Sequence, residues 1–207
     1  MKMVCIGDSL TYGLGIPVNE NWAALLGREL GFEVVNKGVN GDTSGGMLAR
    51  LERDVLSQKP DIVFIMGGAN DFIMGCGLDV VKANIMAIIH QLRALKIKVI
   101  VAAQPSCDVF HIRKDWAALA DFAYVARMIE QMAAWLEDFC RVFDIPLVSV
   151  FDSFSAITAG REQEYYIDGI HPNKKGHRLI ADIIIAAVRS QEPWGCAQSG
   201  VKNFRNR

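Results

Sequence analysis

The chain has 207 residues, enough for one domain with a full hydrophobic core. About half of them are apolar, 22% are charged and the net charge is −1, which excludes the basic balance that binds nucleic acid or an anionic membrane surface. No apolar run approaches the ~18 residues of a membrane span, so no stable membrane insertion is expected.

Apolar runs of strand length alternate with longer segments of helical period. Residues 2–7 read as the first strand and run out into Gly7-Asp8-Ser9-Leu10. Residues 19–30 read as a helix, 33–36 as a strand, 45–57 as a helix and 61–67 as a strand. Then come a helix over 80–95, a strand over 97–103, a helix over 119–143, a strand over 146–150 and a last helix over 174–190. The strand segments are rich in Val and Ile and nearly continuous, as strands buried on both faces are. Strand–helix alternation predicts a single-domain α/β/α sandwich around a five-stranded parallel, flavodoxin-like sheet. Residues 1–190 read as that domain and residues 191–207 as a loosely held polar tail pinned by Trp194.

The five cysteines, Cys5, Cys76, Cys107, Cys140 and Cys196, are odd in number and widely spaced. They suggest neither a disulfide framework nor a Cys-x-x-Cys metal site, and free thiols suit a reducing interior. Strand-like sequence starts at Lys2 with no signal peptide before it, so a cytoplasmic location is expected.

Ligands of an open parallel sheet bind outside the carboxyl ends of its strands. Ser9 lies at such an end, where a side chain is both held by the scaffold and open to substrate. Near the other end of the chain stands Asp168-Gly169-Ile170-His171-Pro172-Asn173. His171 can take a proton from Ser9 and return it to a leaving group. Asp168, three residues earlier, can orient the imidazole and steady its charged form. Three groups can donate to an oxyanion: the Ser9 N–H, the N–H of Gly41 in Asn40-Gly41-Asp42-Thr43, and the amide of Asn70 in Gly67-Gly68-Ala69-Asn70-Asp71. The Gly-x-Ser-x-Gly elbow of α/β-hydrolases is absent, because position 11 is Thr.

Four blocks in order carry a resemblance: Gly7-Asp8-Ser9-Leu10-Thr11, Asn36-Lys37-Gly38-Val39-Asn40-Gly41-Asp42-Thr43, Gly68-Ala69-Asn70-Asp71 and Asp168-Gly169-Ile170-His171-Pro172. In them the chain resembles the SGNH hydrolases, also called the GDSL lipase/esterase family, and most nearly their bacterial thioesterase/lysophospholipase branch. The resemblance implies Ser9 as nucleophile, Asp168 and His171 as the rest of a triad, and Ser9, Gly41 and Asn70 as the oxyanion hole. It also implies a shallow site with no cofactor. Ala69 departs from the branch, which often has a second glycine there.

Asp8 and Asp71 read as carboxylates that bond loop backbone, and Asp42 with Thr43 as caps of the following helix. His90 and His177 read as structural, and His111 sits in a loop within possible reach of substrate. No His-Glu-x-x-His or Cys/His cluster suggests a metal. Phe72, Ile73, Met74, Phe110 and Trp116, with Ile112, are candidates to line an apolar acyl pocket. The expected activity is hydrolysis of a small-molecule carboxylic ester or thioester. A carbohydrate O-acetyl esterase, an acyltransferase using the same serine and a non-catalytic flavodoxin-like binding domain stand as alternatives.

Overall fold

The computed structural model describes residues 1–190; the polar tail expected over 191–207, with Trp194 and Cys196, lies outside the described residues. Strand β1 (Lys2–Gly7) leads into a one-turn helix α1 (Ser9–Tyr12), and helix α2 (Trp22–Leu30) returns the chain to β2 (Glu33–Gly38). Helix α3 (Ser44–Ala49) continues through a wide turn (Leu51–Val55) and a tight one (Leu56–Gln58) to β3 (Ile62–Met66). Helices α4 (Ala69–Ile73) and α5 (Leu78–Ala94) precede β4 (Lys98–Ala103). Helices α6 (Lys114–Ala117) and α7 (Phe122–Phe143) precede β5 (Leu147–Ser149), and α8 (Val150–Thr158) and α9 (Lys174–Ser190) follow it.

The strands form one sheet in the order β2-β1-β3-β4-β5, with every neighbouring pair parallel. This is the expected five-stranded parallel architecture. Alternate side chains of each strand point to opposite faces. Val4, Ile6, Val63, Ile65, Val99 and Val101 meet α3, α5 and α7 on one face. Met3, Cys5, Ile62, Phe64, Ile100 and Ala102 meet α2, α8 and α9 on the other. Trp22 is fully buried there, with its ring on Phe64 and its indole N–H donated to the Leu10 carbonyl.

Only β1, β3 and β4 are buried on both faces; the edge strands β2 and β5 are half-exposed, so the expectation of five doubly buried strands holds for the centre alone. The single helix expected over 45–57 is broken by the wide turn that begins just after Arg50. Helix α8 lies between the last expected strand and the last expected helix, where no element was expected. Its cap, Ser149, is also the last residue of β5, so no turn residues separate strand from helix. No helix among the described residues is long and apolar enough to cross a membrane.

The chain runs outward from β1 to β2, then crosses back past β1 to β3. The order therefore reverses between β1 and β3, and a crevice opens beyond their carboxyl ends. Ser9 and Asn70 follow those two ends directly.

Candidate active site

Gly7 closes β1 in register with Gly38 of β2 and Met66 of β3, so the three loops leave the sheet at one level. The position needs glycine on steric grounds. A Cβ there would stand 2.0 Å from the Met66 carbonyl oxygen and 2.3 Å from Thr11 Oγ1. Asp8 follows and accepts the Leu10 N–H at 2.9 Å, which caps α1. Ser9 is the first residue of that helix, and helix geometry leaves its N–H without an intrahelical acceptor. Contrary to the solvent-facing turn read from the sequence, Ser9 is only 6% exposed.

The imidazole arrives from the segment between α8 and α9. An antiparallel bridge between Tyr166 and Pro172 and the Ile167 N–H to His171 carbonyl bond, 2.8 Å, close that loop. Asp168 Oδ1 accepts the N–H groups of Ile170 at 3.0 Å and His171 at 2.8 Å. Its Oδ2 lies 2.8 Å from His171 Nδ1, and His171 Nε2 lies 3.1 Å from Ser9 Oγ. A carboxylate only accepts, so Nδ1 carries the proton, and in the neutral ring the Nε2 lone pair faces the serine hydroxyl. Burial works to raise the Asp168 pKa, but the bond to His171 and the two backbone N–H groups outweigh it. They hold the carboxyl well below the usual range. Ser9, His171 and Asp168 thus stand in one hydrogen-bonded line.

The loops of Gly41 and Asn70 are tied to each other. Gly41 has φ +74°, a left-handed conformation that favours glycine, and a Cβ there would meet nothing within 4 Å. Asn70, in the first turn of α4, donates one amide hydrogen to the Asp42 carbonyl at 2.9 Å, which ties its loop to the Gly41 loop. The amide has a second hydrogen to offer.

Asp71 behaves as read, binding the Ser44 N–H at 2.8 Å and its hydroxyl at 2.6 Å. Asp42 does not. Thr43 alone caps α3, while Asp42 pairs with Arg50 at 2.6 Å. Arg50 is a site residue the sequence reading missed. Its guanidinium, 7% exposed, also donates to the carbonyls of Lys37 at 2.8 Å and Gly7 at 3.0 Å and reaches Asp54 at 3.3 Å. It thereby fastens the ends of β1 and β2 to the loop of Gly41. The available signal was a charge on the buried face of a helical segment, between Met47 and Leu51.

Replacing Arg50 by Met strips donors from two carbonyls and leaves Asp42 as a buried anion. A loss of about 3–5 kcal/mol is expected. Calorimetry should show the unfolding midpoint falling by roughly 10 °C; a fall under about 2 °C would refute the clamp.

Two buried side-chain oxygens among the described residues lack a partner, Asp8 Oδ2 and Gln104 Oε1. Burial pushes the Asp8 carboxyl up to about 6, against the Leu10 N–H bond and the nearby His171. His177 is buried in α9, accepts the Trp22 N–H, and is pushed down to about 4 by burial and then by His171; it is structural, as read. Tyr166, half-buried at the start of the loop that carries His171, donates its hydroxyl to the Ser106 carbonyl.

The acyl-pocket candidates divide. Phe72 is 2% exposed and belongs to the core, because α4 turns it towards the helices on that face of the sheet. Ile73 and Ile112 are half-buried against the same core. Trp116 is not an open wall: its indole N–H donates to Asp168 Oδ2 at 3.0 Å. Met74, 67% exposed, and Phe110, 89% exposed, stand free at the surface. His111, from the same loop as Phe110, is held by Asp108 at 2.8 Å.

Comparison with known proteins gives the family. Esterase TesA of Pseudomonas aeruginosa is 34% identical over 104 residues, 48% of this chain and 52% of that protein, so the match spans about half of the relative's length. Thioesterase 1/protease 1/lysophospholipase L1 of Escherichia coli is 27% identical over 182 residues, 87% of this chain and 79% of that protein. A crystal structure of a member of the lipolytic protein G-D-S-L family from Veillonella parvula superposes with a TM-score of 0.78 at 22% identity, covering 92% of this chain and all of that one, and so shares the fold. The pattern of the GDSL-like lipase/acylhydrolase family matches residues 5–179, and the chain belongs to that family.

Proposed function

We propose that the chain hydrolyses carboxylic esters or thioesters through an acyl-enzyme on Ser9. The relay carries the reading: Ser9 Oγ to His171 Nε2 at 3.1 Å, and Nδ1 to Asp168 at 2.8 Å. As Oγ attacks the acyl carbon, Nε2 takes its proton and the carbonyl π pair moves onto oxygen. The N–H groups of Ser9 and Gly41 and the free amide hydrogen of Asn70 receive that oxyanion. Collapse breaks the bond to the alcohol or thiol, which leaves with the proton from Nε2. Water then gives a proton to Nε2, attacks the same carbon, and a second collapse frees the acid and returns the proton to Ser9.

Only Met74 and Phe110 stand exposed among the apolar candidates, which supports a shallow site for short to medium acyl groups. A carbohydrate O-acetyl esterase is the limiting case of that preference. The unpaired thiols of Cys5, Cys76, Cys107 and Cys140 support a reducing compartment. A fluorophosphonate probe followed by mass spectrometry should label Ser9 and leave Ser9→Ala unlabelled. Across p-nitrophenyl esters from acetate to palmitate, kcat/KM should be highest for the short acids and decline with length. Labelling elsewhere would sink the nucleophile, and a rise towards palmitate would sink the shallow site.

A further inference from the structure

Each Asp168 oxygen has two lone pairs, and all four are used. Oδ1 holds the N–H groups of Ile170 and His171. Oδ2 holds His171 Nδ1 at 2.8 Å and the Trp116 indole N–H at 3.0 Å. Backbone and imidazole alone leave one site on Oδ2 open, either to water or to rotation of the carboxylate. Trp116 closes it. The indole ring also lies over the imidazole, with centroids 5.6 Å apart and planes tilted by 54°. The segment that carries Trp116 is itself fastened to the catalytic loop. The Asp108 N–H donates to the Gly169 carbonyl at 2.7 Å and the Arg113 N–H to the Asp168 carbonyl at 3.0 Å.

We propose that Trp116 is a positioning residue of the triad: its indole N–H locks the carboxylate oxygen that holds His171, and its ring shields that bond from water. The inference rests on the triad reading above. It assigns Trp116 to the base rather than to the acyl group.

The consequence is a pH effect with a definite sign. The indole shares Oδ2 with the imidazole and so compensates part of the negative charge that steadies an imidazolium. Without it, Asp168 favours the charged His171 more, and the base stays protonated to a higher pH. The other charged and titratable groups around the relay remain in place. These are Arg113, 3.8 Å from Asp168 Oδ2 and paired with Asp115; the Asp108–His111 pair across Gly169; Asp8 at the end of β1; and His177 on α9.

The test is Trp116→Phe, which keeps an aromatic ring and removes the donor. On p-nitrophenyl acetate, kcat should fall about tenfold with KM within about twofold, as for loss of one bond to a charged group. The acid limb of kcat/KM should move upward by about half a pH unit. A lining role would instead raise KM most for the longest acyl chains and leave the limb where it was. A merely structural role would lower the unfolding midpoint without moving the limb. Either result overturns the proposal.

Should the variant not fold, the wild-type protein still decides. Its Trp116 indole ¹⁵N–¹H resonance, assigned through bonds, should titrate together with the His171 ring and shift when Ser9 is labelled by the fluorophosphonate. A resonance unmoved by both overturns the assignment. Failure of Ser9 to label removes the triad reading itself, whereas labelling with an unmoved limb removes only the role of Trp116.

Discussion

His171→Ala is expected to lower kcat on p-nitrophenyl acetate by about 10⁵, Ser9→Ala by a similar factor, and the double variant no further than either alone. The two groups perform one act. Ser9 Oγ is a weak nucleophile until Nε2, 3.1 Å away, takes its proton, and Nε2 has no proton to move unless Oγ is there. Removing the second partner therefore removes nothing more. Residual turnover above water, roughly 10³-fold, should persist because the oxyanion donors and the crevice remain. Asp168→Ala should cost less, about 10⁴, because the imidazole survives but loses its orienting anion. The measurement is single-turnover release of p-nitrophenol by each variant, with circular dichroism to show that the sheet is intact. Costs that multiply in the double variant, or a His171→Ala enzyme within tenfold of wild type, would mean that the relay is not the engine.

Part of this site could be read in the sequence and part could not, for reasons that differ by residue. Strands β1, β3 and β4 are apolar runs, β1 and β3 with glycine at or just beyond their ends, and they pair as their pattern implies. Helix α9 has a strong apolar period and spans Lys174–Ser190 as expected. Ser9, Asp168 and His171 were legible because short motifs fix their neighbours, and the loop that aims His171 is closed by its own backbone bonds. Arg50 was not, since nothing local tells a buried arginine from a solvated one. Its partners, Gly7, Lys37 and Asp42, lie 43, 13 and 8 residues away. Trp116 and Asp168 are 52 residues apart, and composition alone suggested a pocket wall. Phe72 misled in the opposite way, because an aromatic beside a motif can face the core as easily as the substrate. What escaped the sequence was long-range side-chain partnership, together with the short helices at the strand ends and the break after Arg50.

Asn70→Ala should lower kcat by about 10²–10³ and leave KM within a few-fold, the signature of a bond made mainly in the transition state. The Asn70 amide has two hydrogens. One is spent on the Asp42 carbonyl at 2.9 Å, and that bond orients the other. Asn70→Asp tests the point more severely. It keeps the size but replaces the donor by an anion facing both the Asp42 carbonyl and the developing oxyanion, so it should be at least as inactive as alanine. The same bond connects catalysis to the buried clamp. Arg50 holds Asp42, Asp42 holds Asn70, and the Gly41 loop lies between them. In Arg50→Lys a single ammonium cannot reproduce the fork to Asp42, Lys37 and Gly7, so the amide loses part of its aim. Arg50→Lys should therefore lower kcat in an otherwise normal enzyme, yet lower it less when Asn70 is already alanine, because groups that act through one another are not additive. A double-mutant cycle on kcat/KM measures this directly. Costs that simply multiply would separate the clamp from the oxyanion hole. A fall of under about fivefold in Asn70→Ala would leave the oxyanion to the N–H groups of Ser9 and Gly41 alone.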